Sequence, residues 1–410
     1  MTRFLLICFL LFGFVVHGQQ VLPLQQDTSL LKHQIILSGD GFYLSNTLQN
    51  DFTQKLLLGG YITDDIKNNS MKSMVSRNRL GSNVSAEFDY QNFNVNLFGN
   101  KKWGMVIRAG YEMFNAVQFS REAFQLGFQG NTQLEYNRAN FGNMHVNSIA
   151  YQKIGFGVID KKSKSSVVLN FVNGSSFFKG QINQGDFAQS PNYDTIGLKV
   201  KGQLNYNSNK KNFFNGQGFA FDADFRIKIN WHKGKTAYIQ VMAKNIGVVF
   251  FNNQTTQYNV DTSYRYTGFK FHQLLSGQPL MSKDFSLLDT LNVHQRSKAK
   301  PVWLPGYIQV GKIVDRNNPA HWQPFFGINV YTSIICLPQI YAGVHYQPAK
   351  WFAAGAQMSF GGFGLLRGGL YLDFRMKDFA IGIATNDIYG LCSKRGYGAS
   401  AQFRLTWQIK

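Results

Sequence analysis

The sequence predicts an all-β fold, a transmembrane antiparallel β-barrel of about 14 strands, with 12 to 16 strands compatible with the pattern. Two observations predict it directly: apolar and polar residues alternate over many segments of about ten residues, and the N-terminus has the features of an export signal. Composition agrees, because 15% of the residues are aromatic and 40 glycines accompany only 9 prolines. The mean hydropathy of −0.20 fits a chain in which only every second strand residue contacts lipid.

The clearest alternation lies in residues 218–232, "GFAFDADFRIKINWH". Apolar side chains occupy the odd positions from Phe219 to Trp231, and polar or charged side chains occupy the even ones. A period of two indicates a strand with two different environments, here lipid on the odd face and a polar lumen on the even face. The same alternation recurs in residues 84–90, 92–97, 103–112, 367–377 and 402–409. A secreted soluble β-sandwich or β-helix is the alternative fold.

Residues 1–18 are predicted to be a secretory signal peptide, cleaved after Gly18. Arg3 provides the positive charge, and the apolar run from Phe4 to Val16 is too short for a membrane-spanning helix. Residues 19–60 are expected to form either the first strands or a plug in the lumen, and residues 61–410 the barrel. Cys336 and Cys392 remain after cleavage, either bridged or as two free thiols.

Counting back from a periplasmic C-terminus predicts periplasmic turns near 232–235, 317–321, 347–351 and 376–378. Residues 252–300 are then a long extracellular loop, and residues 386–396 a shorter one. Residues 120–129 break the alternation and predict a short helix, because Ser120 can cap its start and Gly130-Asn131 can end it.

Several short motifs, in this order along residues 80–410, resemble an uncharacterised family of outer-membrane barrels from Bacteroidota, itself similar to barrels of the FadL and PorV type. The motifs are Gly130-Asn131 after the short helix, Asp222 or Asp224 in a later strand, Asn245 and Gly247 closing the following strand, and Leu304-Pro305 opening another. The resemblance implies a 14-stranded barrel in the outer membrane of a Gram-negative bacterium, with an N-terminal segment in the lumen. It implies no single activity, because relatives range from hydrophobic-solute transporters to accessory barrels of type IX secretion.

The sequence offers no catalytic, cofactor-binding or metal-binding constellation, so we expect no enzyme. His145 and Ser148 are three residues apart and would project to opposite faces of a strand. His272, His294 and His321 have no cysteine or carboxylate at a metal-ligand spacing.

Charges on the predicted lumen face are the candidate functional residues. On one strand, Asp222, Asp224, Arg226 and Lys228 form a ladder of mixed sign. Other predicted members of this ladder are Arg108, Glu112, Arg367, Asp373, Arg375, Lys377 and Arg404. Such side chains set the solute selectivity of pores, and a basic excess would favour anions. In the alternative, opposite charges pair across neighbouring strands and close the lumen.

The formal net charge of +20 falls to about +19 without Arg3, from 41 basic and 22 acidic residues. The predicted extracellular basic residues are Lys210, Lys211, Arg296, Lys298, Lys300, Lys394 and Arg395. They either bind phosphates of outer-leaflet lipid or belong to solvated loops. The expected partners are outer-membrane lipid, an anionic or hydrophobic small solute, and a protein at the extracellular loops. Export and the lack of a basic helix argue against nucleic acid.

The sequence therefore predicts a non-enzymatic outer-membrane barrel, either channel-like or an accessory barrel of an export complex. The alternative is a plugged barrel that acts as a surface scaffold through its 252–300 loop, where "FKFHQLL" and "FSLLDTL" suit a protein contact.

Overall fold

The computed structural model describes residues 25–27, 31–132, 134–207, 214–231, 236–266, 294–318 and 320–409. The predicted signal peptide, residues 1–18, lies outside the described residues. Within them the strands are, in chain order, β1 (Gln25–Gln26), β2 (His33–Ser45), β3 (Asn78–Asn92), β4 (Trp103–Phe119), β5 (Arg138–Asn140), β6 (Met144–Asp160), β7 (Ser166–Gln189), β8 (Ile196–Asn207), β9 (Gly216–Asn230), β10 (Thr236–Phe251), β11 (Thr256–Tyr266), β12 (His294–Ser297), β13 (Lys300–Trp303), β14 (Tyr307–Asp315), β15 (Trp322–Tyr331), β16 (Gln339–Ala349), β17 (Phe352–Gly361), β18 (Leu366–Arg375), β19 (Phe379–Thr385) and β20 (Gly398–Ile409).

Fourteen of these strands close into an antiparallel barrel, so the predicted fold class and strand number are confirmed. The barrel strands are β2, β3, β4, β6, β7, β9, β10 and β14 to β20, each paired with the next. Closure comes from the first and last strands, which pair from His33 with Ile409 to Leu44 with Gly398. The first barrel strand thus begins at His33, within residues 19–60, for which the sequence left first strands or a plug open.

Short turns join the strands at one end of the barrel, and the other end carries the longer connections. Because outer-membrane barrels have short periplasmic turns and long extracellular loops, these are named the periplasmic and extracellular ends. Of the predicted periplasmic turns, residues 376–378 lie exactly between β18 and β19, and residues 317–321 lie between β14 and β15. The turn between β16 and β17 is shorter than predicted, residues 350–351, and residues 232–235 lie outside the described residues.

The extracellular connections contain regular structure of their own. The helices are α1 (Asn50–Leu58), α2 (Asp64–Lys72), α3 (Arg121–Phe128) and α4 (Ile388–Cys392), with a 3-10 turn at Glu135–Asn137. A second 3-10 turn, Leu97–Gly99, lies in the β3–β4 connection at the periplasmic end. The helix α3 is the predicted short helix, and the side chain of Ser120 accepts a hydrogen bond from the backbone of Ala123 at its start. The predicted 252–300 loop includes β11, which extends the sheet by pairing with β8.

The outer surface of the barrel is a belt of exposed apolar side chains from alternating positions. On β9 these are Phe219, Phe221, Phe225 and Ile227, each about half exposed. Five of the six tryptophans lie at the periplasmic ends of strands, namely Trp103, Trp231, Trp322, Trp351 and Trp407. An apolar belt with an aromatic girdle is the surface of a barrel that spans a membrane. No helix among the described residues is long and apolar enough to cross a membrane.

We predict that Ile154→Arg lowers the free energy of unfolding in lipid by about 2–4 kcal/mol, the cost of a lipid-facing arginine near the bilayer midplane. Ile154 is 68% exposed in the middle of β6, where its neighbours Ala109 and Phe171 also face outward. The measurement is denaturant unfolding in vesicles. Val75→Arg is the control, because Val75 is exposed in the extracellular connection before β3 and should tolerate the charge. Equal losses in the two variants would contradict a lipid belt at Ile154.

Candidate functional site in the barrel lumen

A cluster of charged side chains crosses the lumen near its middle. Its centre is Arg108 on β4, whose guanidinium donates from Nε and Nη2 to the two oxygens of Asp89, both at 2.7 Å. The third nitrogen, Nη1, lies 2.7 Å from Oδ2 of Asp222 on β9, and Glu87 Oε1 is 3.6 Å from Nε. One arginine therefore gathers three carboxylates, in the geometry that gives charge-assisted hydrogen bonds their strength.

Two lysines extend this cluster across the lumen. Nζ of Lys153 lies 3.0 Å from Glu87 and 3.1 Å from Asp222. Nζ of Lys244 lies 3.0 Å from the other oxygen of Glu87. Glu87 is on β3 and Lys244 on β10, five strand positions apart in a ring of fourteen. The Glu87–Lys244 contact therefore bridges the lumen instead of joining neighbouring strands.

A bulge in β10 completes the cluster. Register shifts between Ala243 and Ile246, and Asn245 has a positive φ of 56°. This conformation points the backbone N–H of Asn245 at Asp222, to which it donates at 2.6 Å. The Asn245 side chain donates to Glu112 at 2.6 Å and accepts from Lys153 at 2.7 Å. Asn245 thus lies within β10, not at its end as predicted, and its partner is Asp222.

A second group of charges lies toward the periplasmic end, around the chain segment 25–27. Here Arg226 pairs with Asp224 at 2.8 Å and Arg375 pairs with Asp373 at 2.7 Å. The strand β1 pairs in parallel with the end of β14. Side chains of this segment reach four other parts of the wall, with contacts from Gln25 to Asp373, from Gln26 to Ser163 and Arg226, and from Asp27 to Arg316 at 2.6 Å. Residues 25–27 therefore lie across the periplasmic mouth and form its floor.

Lys164 is a further basic residue beside this floor, and burial disfavours its charged form. It lies in the turn between β6 and β7, with Nζ 3.9 Å from the centre of the Phe93 ring. Burial lowers the pKa of Lys164 to about 8, against the opposing effect of Asp27.

The extracellular half of the lumen is filled by apolar side chains and forms a ceiling. Phe42 and Phe114 from the wall meet Phe363, which folds inward from the β17–β18 connection. Gly81 makes room for Phe363, because a Cβ at that position would overlap its ring. Ile335 and Cys336 enter the same cluster from the β15–β16 connection. At this end Arg367 pairs with Asp387 at 3.3 Å and donates to the carbonyl oxygen of Ser45.

Between ceiling and floor lies a cavity of about 300 Å³. Its acidic lining residues are Asp27, Asp40, Glu87, Asp89, Glu112, Asp222, Asp224 and Asp373, and its basic ones are Arg108, Lys164, Arg226, Lys244, Arg316, Arg375 and Arg404. Eight acidic and seven basic groups nearly balance. The large positive charge of the chain is therefore not concentrated in the lumen.

The structure divides the predicted lumen ladder into three levels. Arg108, Glu112 and Asp222 lie at the centre, Asp224, Arg226, Asp373, Arg375 and Arg404 toward the floor, and Arg367 at the extracellular end. Lys228 is exposed and follows Arg226, the last residue of β9 that lines the cavity. Lys377 lies in the turn after β18 and follows Arg375, the last residue of that strand that lines the cavity. Lys377 therefore lies outside the strand on which it was predicted, whereas Lys228 keeps the parity of Asp224 and Arg226 on β9 and its place in the ladder stays a prediction.

Sequence reasoning did not include Lys153 or Lys244 among the lumen charges, and it named Asn245 only as a residue closing a strand. Lys153 shares the inward face of β6 with Tyr151, and Lys244 and Asn245 are adjacent in the β10 bulge, which brings both to the centre of the lumen. Glu87 and Asp89 were also left out of the predicted ladder, although they alternate cleanly with Phe88 and Tyr90 and that signal could have placed them in the lumen.

The predicted extracellular basic residues do not form one patch. Arg296, Lys298, Lys394 and Arg395 are exposed, whereas Lys300 is half-buried and donates to Asn205 at 2.6 Å. Lys210 and Lys211 lie outside the described residues. Cys336 is buried, Cys392 is exposed, and both are free thiols.

The described residues contain no group of three or more His, Cys, Asp or Glu side chains that could hold a metal ion. Nδ1 of His321 lies 2.8 Å from the Gln347 carbonyl oxygen. His272 lies outside the described residues, as does the side chain of His294.

The chain belongs to a family of unknown function, DUF5723, whose model matches residues 28–386. The predicted resemblance to an uncharacterised family is thereby confirmed, and its Bacteroidota origin stays a prediction. No curated protein matches the chain. Among solved structures, the chain is similar to the CymD monoaromatic hydrocarbon channel at 7% identity, with 93% of this chain and 89% of that chain covered and a TM-score of 0.31. It is also similar to the toluene transporter TodX of Pseudomonas putida at 8% identity, with 92% and 88% covered and a TM-score of 0.30.

We predict that Asp222→Ala destabilises the barrel by roughly 3–5 kcal/mol, because it leaves Arg108 and Lys153 buried with one carboxylate fewer. Asp224→Ala is the matched comparison and should cost less, since Asp224 has one cationic partner, Arg226, and is more exposed. Denaturant unfolding in vesicles measures both. A larger loss for Asp224→Ala would contradict the assignment of Asp222 as the central acidic residue.

Proposed function

We propose that this protein is a non-enzymatic outer-membrane barrel that admits a small solute into its lumen and is closed in the form described here. The observation that carries the proposal is the cavity of about 300 Å³ between the apolar ceiling and the floor made by residues 25–27. A cavity between two closures has the architecture of a solute path with a barrier at each end.

The cavity lining favours a solute with an apolar body and a polar group. Phe42, Phe114 and Phe363 line its extracellular side, and the Arg108 cluster lines its centre. Because acidic and basic groups nearly balance, the lining does not support the predicted preference for simple anions. A small amphipathic molecule fits it better, with its apolar part against the phenylalanines and its polar group at the charged centre.

The floor depends on contacts that can be removed individually. Asp27 pairs with Arg316 at 2.6 Å and accepts from Gln408 at 3.4 Å, so these side chains hold the segment against β14 and β20. The ceiling depends on Phe363, which packs between Phe42 and Phe114. The two barriers lie in series along one lumen, so both must open for steady conduction.

We predict that wild-type protein in planar bilayers gives little current and that Asp27→Ala/Arg316→Ala alone gives only brief openings. Combining those changes with Phe363→Ala should give sustained conductance several-fold above wild type, because both barriers are then weakened. The control is Lys201→Ala/Asp261→Ala, which removes an exposed ion pair on the extracellular sheet, 2.8 Å between its charged atoms, and should behave as wild type. A silent combined variant, with barrel folding verified by heat-modifiable gel mobility, would contradict a solute path.

The second candidate is a plugged barrel that acts as a surface scaffold through residues 252–300. The observation in its favour is the Glu87–Lys244 bridge across the lumen, which obstructs passage even where the ceiling and floor are weakened. Most of the proposed contact segment, residues 267–293, lies outside the described residues. Silence of the combined variant would favour this candidate, and a role in type IX secretion stays a prediction.

A further inference from the structure

The barrel wall is much lower on one side than on the other. Strands β14 to β19 contain 7 to 11 residues each, whereas β4 and β6 contain 17 and β7 contains 24. A transmembrane strand needs about 9–11 tilted residues to cross the hydrocarbon layer. The side of the barrel formed by β14 to β19 is here called the short wall. Its extracellular connections therefore start at the membrane surface.

Short-wall connections expose large apolar side chains. Ile334 in the β15–β16 connection is 79% exposed, and Leu365 in the β17–β18 connection and Leu391 in α4 are about half exposed. The lipid-facing residue Leu366 follows Leu365 directly at the top of β18 and is also largely exposed. The exposed apolar surface of these connections is thus continuous with the lipid belt below it.

The helix α1 adds to this surface from the β2–β3 connection. Asn50 fastens its start to the loop before β20, donating from its side chain to the carbonyl oxygens of Gly390 and Ser393. Gln54 donates to the hydroxyl of Tyr43, which lies on the opposite face of β2 from the buried residues Phe42 and Leu44. This contact places the helix over the outer side of the wall, and its last residues, Leu57 and Leu58, are exposed.

Basic residues border this apolar surface. Lys394 and Arg395 are exposed three and four residues after Leu391 in the same loop. Apolar side chains flanked by Lys and Arg are typical of segments that lie in a membrane interface, with the aliphatic groups in the acyl region and the cations at phosphates.

We propose that the end of α1 and the short-wall connections insert into the outer leaflet, with lipid acyl chains against Leu57, Leu58, Ile334, Leu365 and Leu391. Lys394 and Arg395 bind the lipid phosphates above them. The proposal rests on the membrane placement in the proposed function and adds a partner to it, namely the outer-leaflet lipid that holds the ceiling. Two of these connections supply both surfaces, because Ile335 and Phe363 enter the ceiling while Ile334 and Leu365, close to them in the chain, are exposed.

The native thiol of Cys392 reports on this surface without mutation. Cys392 is exposed next to Leu391, whereas Cys336 is buried and its burial raises the pKa of its thiol, so a bimane reagent labels Cys392 selectively. In vesicles, bimane at Cys392 should be quenched strongly by phospholipids brominated on the acyl chain and weakly by iodide on both sides of the membrane.

The matched control is Tyr193→Cys in a Cys392→Ser background. Tyr193 is exposed in the turn between β7 and β8, beyond the extracellular end of the 24-residue strand β7. Bimane attached to the cysteine at this position should therefore be quenched by iodide and not by brominated lipid. Leu57→Glu/Leu58→Glu should lower the quenching of Cys392 by brominated lipid several-fold. Gel mobility of the folded barrel verifies insertion separately, so a failure of this test does not depend on conductance.

Iodide quenching at Cys392 as strong as at Tyr193→Cys would overturn the proposal, because the surface would then face water. Protection from both quenchers that grows with the protein-to-lipid ratio would also overturn it, because a second copy of the chain would then cover the surface.

Discussion

The architecture depends on the pairing of the first and last barrel strands. β2 and β20 are hydrogen-bonded from His33 with Ile409 to Leu44 with Gly398, and this seam leaves no strand edge in the hydrocarbon layer. An open edge there would expose backbone N–H and C=O groups with no hydrogen-bonding partner in lipid. Once the ring is closed, alternation gives each strand one lipid face and one lumen face. The polar side chains of the lumen faces must then be accommodated inside the barrel.

The interior accommodates these side chains in layers along the barrel axis. Apolar side chains from the wall and from inward-folded connections fill the extracellular half, where Phe363 packs against Phe42 and Phe114. Most of the charges lie in the middle and the periplasmic half, where almost every cation has a carboxylate partner close by, and Arg367 pairs with Asp387 at the extracellular end. Near balance of charge follows from the low dielectric of a closed lumen, since an unpaired charge there is costly.

Sequence alone was sufficient for the fold class and for the faces of regular strands. The alternation in β9 correctly put Asp222 and Arg226 inside and Phe221 and Phe225 outside, because a strand without bulges has a strict period of two. It was not applied to β10, where the bulge at Lys244 and Asn245 adds a residue and changes the alternation between the two parts of the strand. Phe363 and Ile335 were not predicted in the ceiling, because the sequence of a connection that folds into the lumen lacks the regular apolar–polar alternation of a strand.

The Arg108 cluster sets the conditions under which the lumen can open. Several of its ion pairs, such as Glu87–Lys244 and Arg108–Asp222, join strands that are not neighbours, so widening the lumen at its centre separates Lys244 from Glu87 or moves the wall with both. Separation is costly in a dry lumen and much less so once water or a polar solute group replaces the lost partner. Under the proposed function, a solute that brings its own polar group to the centre would replace part of the lost Glu87–Lys244 contact and so lower the cost of its entry. This relation connects the charged centre to an amphipathic solute more directly than to a simple anion.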